Sequence, residues 1–278
     1  MKYGINTLLW TAAFGQSNLD LLPRIKAGGF DGVEIARFSF DDCPAAPLRR
    51  TLESNDLECT FCTALTGDLS MARSDGRAVA FMRDAIGWAA ELGAKVVAGP
   101  FCSAVGYLPG RRRTSDEWQR CIHNLQSLGP VLDDANVTLA VEPLNRFETF
   151  FLNTCEDARA LSDAVNHPRI GVLFDTFHAN IEEKSIAAGL ANLGPHLKHV
   201  HTCENDRGTP GTGHVAWPEL FQSLHKAGYD AGDDGWLVIE SFGFAIKEIA
   251  AAACIWRDLA PTPDEIAFEG LKFLKQFA

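Results

Sequence analysis

Residues 137–150 read VTLAVEPLNRFETF, and the fold is decided by how this stretch is read. The run 137–141 is short, apolar and largely β-branched, the pattern of a buried strand. It ends at Glu142 with a proline behind it. A carboxylate at the end of a buried strand is costly unless something pairs with it, so Glu142 points to a metal or to proton transfer. The loop beyond it adds Arg146 and Glu148. Three later stretches repeat the pattern of an apolar strand closing on a metal-ligand residue type. They are 170–175 (IGVLFD, ending at Asp175), 197–201 (LKHVH, ending at His201) and 236–240 (WLVIE, ending at Glu240). The intervals of 33, 26 and 39 residues each accommodate one strand–helix unit. In a parallel barrel the ends of successive strands lie on one face, so Glu142, Asp175, His201 and Glu240 are expected to converge there.

The flanking sequence divides in the same way. Strand patterns fall at 3–9, 32–35, 57–64 and 94–98, and helical patterns at 19–27, 48–55 and 76–92. A capping box at 114–117 (TSDE) opens a helix reaching about residue 135, with Gly129-Pro130 as a kink site. Thr154 caps a helix through 164, and further helices fall at 185–193, 217–227 and 246–259, with 229–235 leading into the last strand. Thr262, Pro263 and Glu265 mark the start of an extra terminal helix reaching 277. The expectation is one domain over residues 1–278, a (β/α)8 TIM barrel with an added C-terminal helix. A doubly wound open sheet is the alternative fold, and no glycine-rich dinucleotide turn follows strand 1 to support it.

The chain of 278 residues carries a net charge of −11, which argues against a nucleic-acid partner. The N-terminal MKYGINTLLW lacks a leader-like apolar region, and no window is long and apolar enough for a membrane span. A cytoplasmic protein with its eight cysteines reduced is expected. Cys59 and Cys62 spell C-x-x-C within a strand, where that spacing puts the two side chains on opposite faces, so neither a redox nor a metal role is expected of the pair.

Two Glu, one Asp and one His offer a divalent cation three anionic oxygens and a nitrogen. That set suits Mn²⁺, Mg²⁺ or Co²⁺, with Zn²⁺ left open. Positions left on such an ion would admit a ligand chelating through adjacent oxygens. A ketose carbonyl and its neighbouring hydroxyl are such a pair, and the ion would stabilise the enediolate formed when the carbon between them loses its proton. The two Glu could reach opposite faces of that carbon, one removing a proton and the other returning one. Each would contribute about 10²–10⁴-fold.

At this point a resemblance can be named. Asn145-Arg-Phe-Glu148 after Val141-Glu142, Asp175-Thr-Phe-His178, and His199-Val-His201 followed by Glu204-Asn-Asp-Arg207 resemble the ketose 3-epimerase family. That family comprises the D-tagatose, D-psicose (allulose) and L-ribulose 3-epimerases, within the xylose-isomerase-like barrels. Gly213-His-Val-Ala-Trp217 and Val238-Ile-Glu240 fit as well, and the likeness spans essentially the whole chain. The resemblance implies an isomerase that epimerises free ketoses at C3. It implies metal ligands at Glu142, Asp175, His201 and Glu240, with Glu142 and Glu240 as the catalytic acid–base pair. It also implies that Glu148, His178 and Arg207 hold the O1–O3 end of the sugar, with Mn²⁺ as the usual metal and a homodimer or homotetramer as the assembly. One region departs from the family pattern. After strand 1 members carry a cluster of aromatics; here Trp10 is kept, while Asn6 and Phe14 stand in place of bulkier rings. This run is expected to line the far end of the substrate, so the identity of the preferred ketose is open there.

His199, two residues before His201, points to the same side of its strand and is a candidate neighbour of the metal. Glu34 in strand 2 is a candidate neighbour of the site or a structural pairing. Rival functions on this scaffold are an aldose–ketose isomerase of the hydroxypyruvate or xylose type and an inosose-type dehydratase. An apurinic-site endonuclease would need histidines at the ends of early strands, which end here without any. A sugar-binding protein without activity would need no opposed carboxylates.

Overall fold

Eight parallel strands close on themselves in sequence order, β8 pairing back onto β1. They are β1 (Lys2–Asn6), β2 (Gly32–Ala36), β3 (Glu58–Cys62), β4 (Val96–Gly99), β5 (Thr138–Val141), β6 (Ile170–Asp175), β7 (Leu197–Thr202) and β8 (Trp236–Ile239). The structure, a computed structural model, describes residues 1–232 and 235–277. Of the expected lead-in 229–235, residues 233 and 234 lie outside the described residues, as does residue 278. The expected (β/α)8 barrel is the observed one, with Pro263–Leu274 as its additional C-terminal helix.

Strand alternation sorts the chemistry. Val33 and Ile35 of β2, Val200 of β7, and Leu237 and Ile239 of β8 belong to the large apolar core between strands and helices. Their neighbours Glu34, His199, His201, Val238 and Glu240 therefore face the barrel interior. The lower interior is apolar. Val96, Ala98, Ala140 and Leu173 form one inner cluster. The Trp236 indole occupies the floor, where a Cβ on Gly32 would lie 2.5 Å from its ring and 2.4 Å from the Glu58 carbonyl oxygen. Glycine at 32 is what lets β2 and β3 close over that ring. The upper interior, toward the C-terminal ends of the strands, is polar.

Several boundaries differ from the sequence expectation for local physical reasons. β1 stops at Asn6 rather than residue 9, because the Asn6 side chain accepts from the Leu8 N–H and turns Thr7–Leu9 into a 3₁₀ segment. A helix at Thr176–Glu182 was not expected; the Asp175 carboxylate accepts from the N–H groups of Phe177 and His178 and so caps it. The expected closing helix 246–259 is only Lys247–Ala252, and Cys254 just beyond has φ 55°, a left-handed stop. Gly129-Pro130 divides the long helix into Ser115–Gln126 and Gly129–Ala135, and the Thr114–Glu117 capping box forms. All eight cysteines are free, and burial pushes the Cys59 thiol up to about 12. Among the described residues no helix is long and apolar enough to cross a membrane.

Candidate active site

Glu142 and Glu240 each sit one residue beyond their strands, while Asp175 and His201 lie within β6 and β7. The β6–β7 register shifts between Val172 and Leu173, and beyond the shift Asp175 stands directly opposite His201. The result is a single buried cluster: Glu142, Asp175, His201 and Glu240 each offer a ligand atom, all within 4.8 Å of one another. His201 Nδ1 lies 3.3 Å from Glu240 Oε2 and 3.8 Å from Asp175 Oδ2. The four expected strand-end donors are thus brought together.

Arg207 threads into this cluster from the β7 loop and is 5% exposed. Its Nη1 donates to Asp175 Oδ2 at 2.8 Å and Glu240 Oε2 at 3.0 Å. Phe177 and Phe242 flank the guanidinium, with its carbon 4.4 and 5.0 Å from their ring centroids. Arg207 has φ 67°, an uncommon conformation for a non-glycine residue, and the loop around it is built to hold it. Its N–H donates to the Glu204 carbonyl and its own carbonyl accepts from the Phe242 N–H. The fully buried Glu204 carboxylate in turn accepts from the Gly211 and Val215 N–H groups and from Trp217 Nε1. A Cβ on Gly213 would lie 2.5 Å from Glu204 Cγ, so the glycine and the tryptophan of the 213–217 motif both serve this clamp.

His178 Nδ1 accepts from the Asn145 N–H at 3.0 Å, and its Nε2 lies 2.7 Å from Arg207 Nη2 and 3.5 Å from Glu142 Oε1. The Asn145 side chain also donates to Glu148 Oε1. Asn145 therefore links the two expected substrate contacts, Glu148 and His178, a role the sequence did not point to. Arg146 turns away and pairs with Glu182 at 2.9 Å.

Glu34 is the centre of a second, adjoining network. It is fully buried. Its Oε2 accepts from Thr60 Oγ1 and His199 Nε2, each at 2.9 Å. Its Oε1 accepts from Asn6 Nδ2 at 2.9 Å and lies 2.8 Å from His201 Nε2. Cys62 Sγ stands 3.9 Å from Glu240 Oε1, so it is closer to the chemistry than its C-x-x-C spelling implied. Burial, then the surrounding Glu34, Glu240 and Glu142, push its thiol far up.

Of the three residues expected at the far end of the pocket, Asn6 and Phe14 lie elsewhere. Asn6 is fully buried at the heart of the site, donating to Glu34 and also to Glu240 Oε1 at 3.3 Å. Phe14 is fully buried within the main core. Trp10 is partly buried and donates its Nε1–H to Asp264 of the terminal helix. The departure at Asn6 therefore bears on a central carboxylate, and the one at Phe14 on packing.

Burial, then the like charges of Glu240 and Asp175, push the Glu142 carboxyl well above the usual range. Burial works against ionising Glu240 too, but His201 and Arg207 outweigh it and hold that carboxyl below its ordinary value. Burial also opposes protonation of His201, and here Glu240 and Glu34 outweigh it and raise the imidazole well above its ordinary value. Burial, with Arg207 and His201, keeps His178 neutral. Glu142, Asp175 and Glu240 crowd one point, with Arg207 donating to two of them. Glu142 Oε1 and both ring nitrogens of His201 are buried without a hydrogen-bond partner among the described residues. Three carboxylates and one imidazole aimed at one point fit a divalent cation.

The chain is similar to known proteins over nearly its whole length. The family described as xylose isomerase-like TIM barrel matches residues 22–277. A protein of Synechocystis sp. named a probable ketose 3-epimerase is 37% identical over 280 residues, covering 99% of this chain and 96% of the relative. An L-ribulose 3-epimerase of Mesorhizobium japonicum is 29% identical over 265 residues, covering 93% of this chain and 88% of the relative. The solved structure of a Methylomonas sp. D-allulose 3-epimerase in complex with D-allulose has a TM-score of 0.92 at 27% identity, covering 100% of this chain and 97% of that one. On the span of the family match and the likeness to the Synechocystis protein, this chain belongs to the ketose 3-epimerase family of xylose isomerase-like TIM barrels and is an enzyme of the isomerase class.

Proposed function

We propose that the enzyme epimerises free ketoses at C3, in the D-tagatose, D-psicose, D-fructose and L-ribulose class, by moving protons between C3 and two opposed glutamates. The observation that carries this reading is the convergence of Glu142, Asp175, His201 and Glu240 in one buried cluster. The relatives named D-psicose and L-ribulose 3-epimerases support the substrate class.

Glu142, Asp175, His201 and Glu240 would hold the divalent cation, Mn²⁺ by preference and Co²⁺ or Mg²⁺ as alternatives. When bound, it would supply Lewis-acid stabilisation of negative charge on adjacent sugar oxygens, worth several kcal/mol. The remaining work falls to side chains. One of Glu142 and Glu240 takes the C3 proton, leaving an enediolate across C2 and C3. The other gives a proton to the opposite face of C3, which inverts the centre. Each transfer is worth about 10²–10⁴-fold. Arg207 offers a fork of donors to the O1–O3 end, and Glu148 and His178, tied through Asn145, orient the hydroxyls. Asn6, donating to Glu240 Oε1, helps fix the direction of that carboxylate. We place the enzyme in the cytoplasm as a homodimer or homotetramer. Tyr107, Leu108 and Phe147, exposed on loops joined by the bond from the Gly106 N–H to the Glu148 carbonyl, are the apolar surface such contacts would cover.

The test is solvent labelling. Ketose incubated with the enzyme in D₂O gains deuterium at C3 as its 3-epimer appears, with no aldose, and NMR of the sugar pool shows it directly. Deuterium confined to C1, or an aldose without a 3-epimer, sinks the reading and favours the aldose–ketose isomerase.

A further inference from the structure

We infer that Glu34 is the positioning residue of the metal ligand His201: from the far side of the ring it takes the Nε2 edge and leaves Nδ1 directed at Glu142, Asp175 and Glu240. This rests on the reading of Glu142, Asp175, His201 and Glu240 as the ligand set. Glu34 comes from β2, across the barrel interior from the β5 and β6 ends that carry Glu142 and Asp175, and its sequence surroundings, GVEIA, left it open as a neighbour of the site or a structural pairing.

The geometry has three parts. His201 Nε2 lies 2.8 Å from Glu34 Oε1, while Nδ1 lies 3.3 Å from Glu240 Oε2 and 3.8 Å from Asp175 Oδ2. An imidazole that gives one nitrogen to a metal needs its proton on the other, and a carboxylate beside that other nitrogen fixes both tautomer and ring plane. The contact at Nε2 is at hydrogen-bonding distance but out of line, and no other hydrogen-bond partner reaches that nitrogen among the described residues. Next, Glu34 cannot follow the ring. Thr60, His199 and Asn6 donate to its two oxygens at 2.9 Å each, so the carboxylate is a fixed stop. Last, the ring is braced from the side, since His199 packs edge-on against His201 with centroids 5.2 Å apart at 75°. Asn6 bridges the two networks, donating to Glu34 and to Glu240, so one rigid framework reaches two of the four ligands.

Substitutions at Glu34 separate positioning from plain structural support. Glu34→Leu keeps the volume and removes every acceptor. Glu34→Gln keeps one acceptor oxygen. That oxygen can stay on the Asn6 and His201 side, because the Thr60 hydroxyl can accept from the new amide and His199 can move its proton to Nδ1. Thr60→Val weakens the anchoring of Glu34 without touching its His201 edge and serves as the structural control. Mn²⁺ binding is read from the EPR signal of free ion, alongside thermal melts of the metal-free proteins. Glu34→Leu weakens Mn²⁺ binding about 10–100-fold. Glu34→Gln falls between Leu and wild type, and Thr60→Val stays near wild type in affinity even where it melts earlier. Folded Glu34→Leu protein binding Mn²⁺ like wild type overturns the inference, as does a Thr60→Val loss equal to that of Leu. A measurement on wild-type protein does not depend on the variants folding. Nitrogen-15 NMR of histidine-labelled enzyme loaded with Mg²⁺ is expected to show the His201 proton on Nε2, and a proton on Nδ1 overturns the inference. Glu142→Gln separates the two levels of argument. If it lowers Mn²⁺ affinity while Glu34→Leu does not, the ligand set stands and the role of Glu34 falls. If wild type binds no Mn²⁺, or Glu142→Gln leaves binding unchanged, both fall.

Discussion

Replacing Arg207 by Met tests the electrostatic balance of the site. Arg207 is 5% exposed, and its Nη1 serves Asp175 and Glu240 at 2.8 and 3.0 Å. Methionine keeps much of the length between Phe177 and Phe242 and removes the charge. Two buried carboxylates then lose their cationic partner. Breaking a buried pair from one side costs about 3–5 kcal/mol, because the remaining charge has lost its compensation. At roughly 2–4 °C per kcal/mol in domains slightly smaller than this one, the melting temperature in chelator should fall by roughly 6–20 °C. Saturating Mn²⁺ supplies two positive charges to the same oxygens and should close most of that gap. Mass action alone adds about 2.7 kcal/mol at a hundredfold excess over Kd. Since Arg207 and the ion draw on the same two carboxylates, the variant should gain more from Mn²⁺ than wild type does. Arg207→Lys should lie between the two, with charge retained for Asp175 and Glu240 but no second nitrogen to reach His178. Paired melts in chelator and in Mn²⁺ decide it: a difference between wild type and Met that stays the same in both would refute the shared-charge argument.

Three other outcomes are expected. Glu142→Gln and Glu240→Gln should each lower kcat by at least about 100-fold, and the double variant should fall short of the product of the two losses, because they act as a unit; residual activity above a tenth in either single variant removes that residue from the mechanism. The Glu142 carboxyl is held well above its ordinary value by burial and then by Glu240 and Asp175, so the stability it contributes is present below its unfolded pKa and lost as pH rises through the folded one. In chelator the protein should therefore lose stability as pH rises through that raised value, while Mn²⁺ affinity should increase over the same range as the proton leaves; calorimetry showing no proton release on binding counts against this. Asn6→Tyr should lower kcat for every ketose rather than re-rank them, because Asn6 is fully buried and donates to Glu240; a changed ranking at undiminished kcat would restore Asn6 to the far end of the pocket.

The parts of the structure that could be read in the sequence are those that repeat or sit locally. The 137–141, 170–175, 197–201 and 236–240 runs each end on a donor, and repetition at strand–helix intervals implied a closed barrel with those donors on one rim. The Thr114 and Thr262 caps were legible because the partners lie three residues apart. What could not be read depends on contacts made across the barrel. The Thr176–Glu182 helix is nucleated by the carboxylate of Asp175, which otherwise reads only as a strand end. Asn6 looked like a lining residue because it stands where the family carries an aromatic ring, yet its interior position beside Glu34 and Glu240 comes from the register Asn6↔Glu34 and from β1–β8 closure. Phe14 was placed by its match to the family's aromatic cluster, whereas packing folds it back into the core.

Glu34 shows why a site's supporting residues stay ambiguous in the sequence, site neighbour or structural pairing, while its ligands do not. A ligand carries its own signal, an ionisable residue where an apolar strand ends. Glu34 stands in the middle of β2, and its meaning lies in four neighbours from β1, β3 and β7. A single mid-strand carboxylate has two solutions inside a barrel, to be neutralised or to be saturated with donors. The second holds here, and His199 and His201 hold the Glu34 carboxyl far below its ordinary value even against the cost of burial. The alternation of β7 makes this possible, since residues two apart present both imidazoles to one carboxylate. The spacing of His199 and His201 is therefore informative only once β2 is known to face β7 across the interior. One such anchored carboxylate lets Glu142, Asp175 and Glu240 crowd a single point while their imidazole partner keeps its orientation.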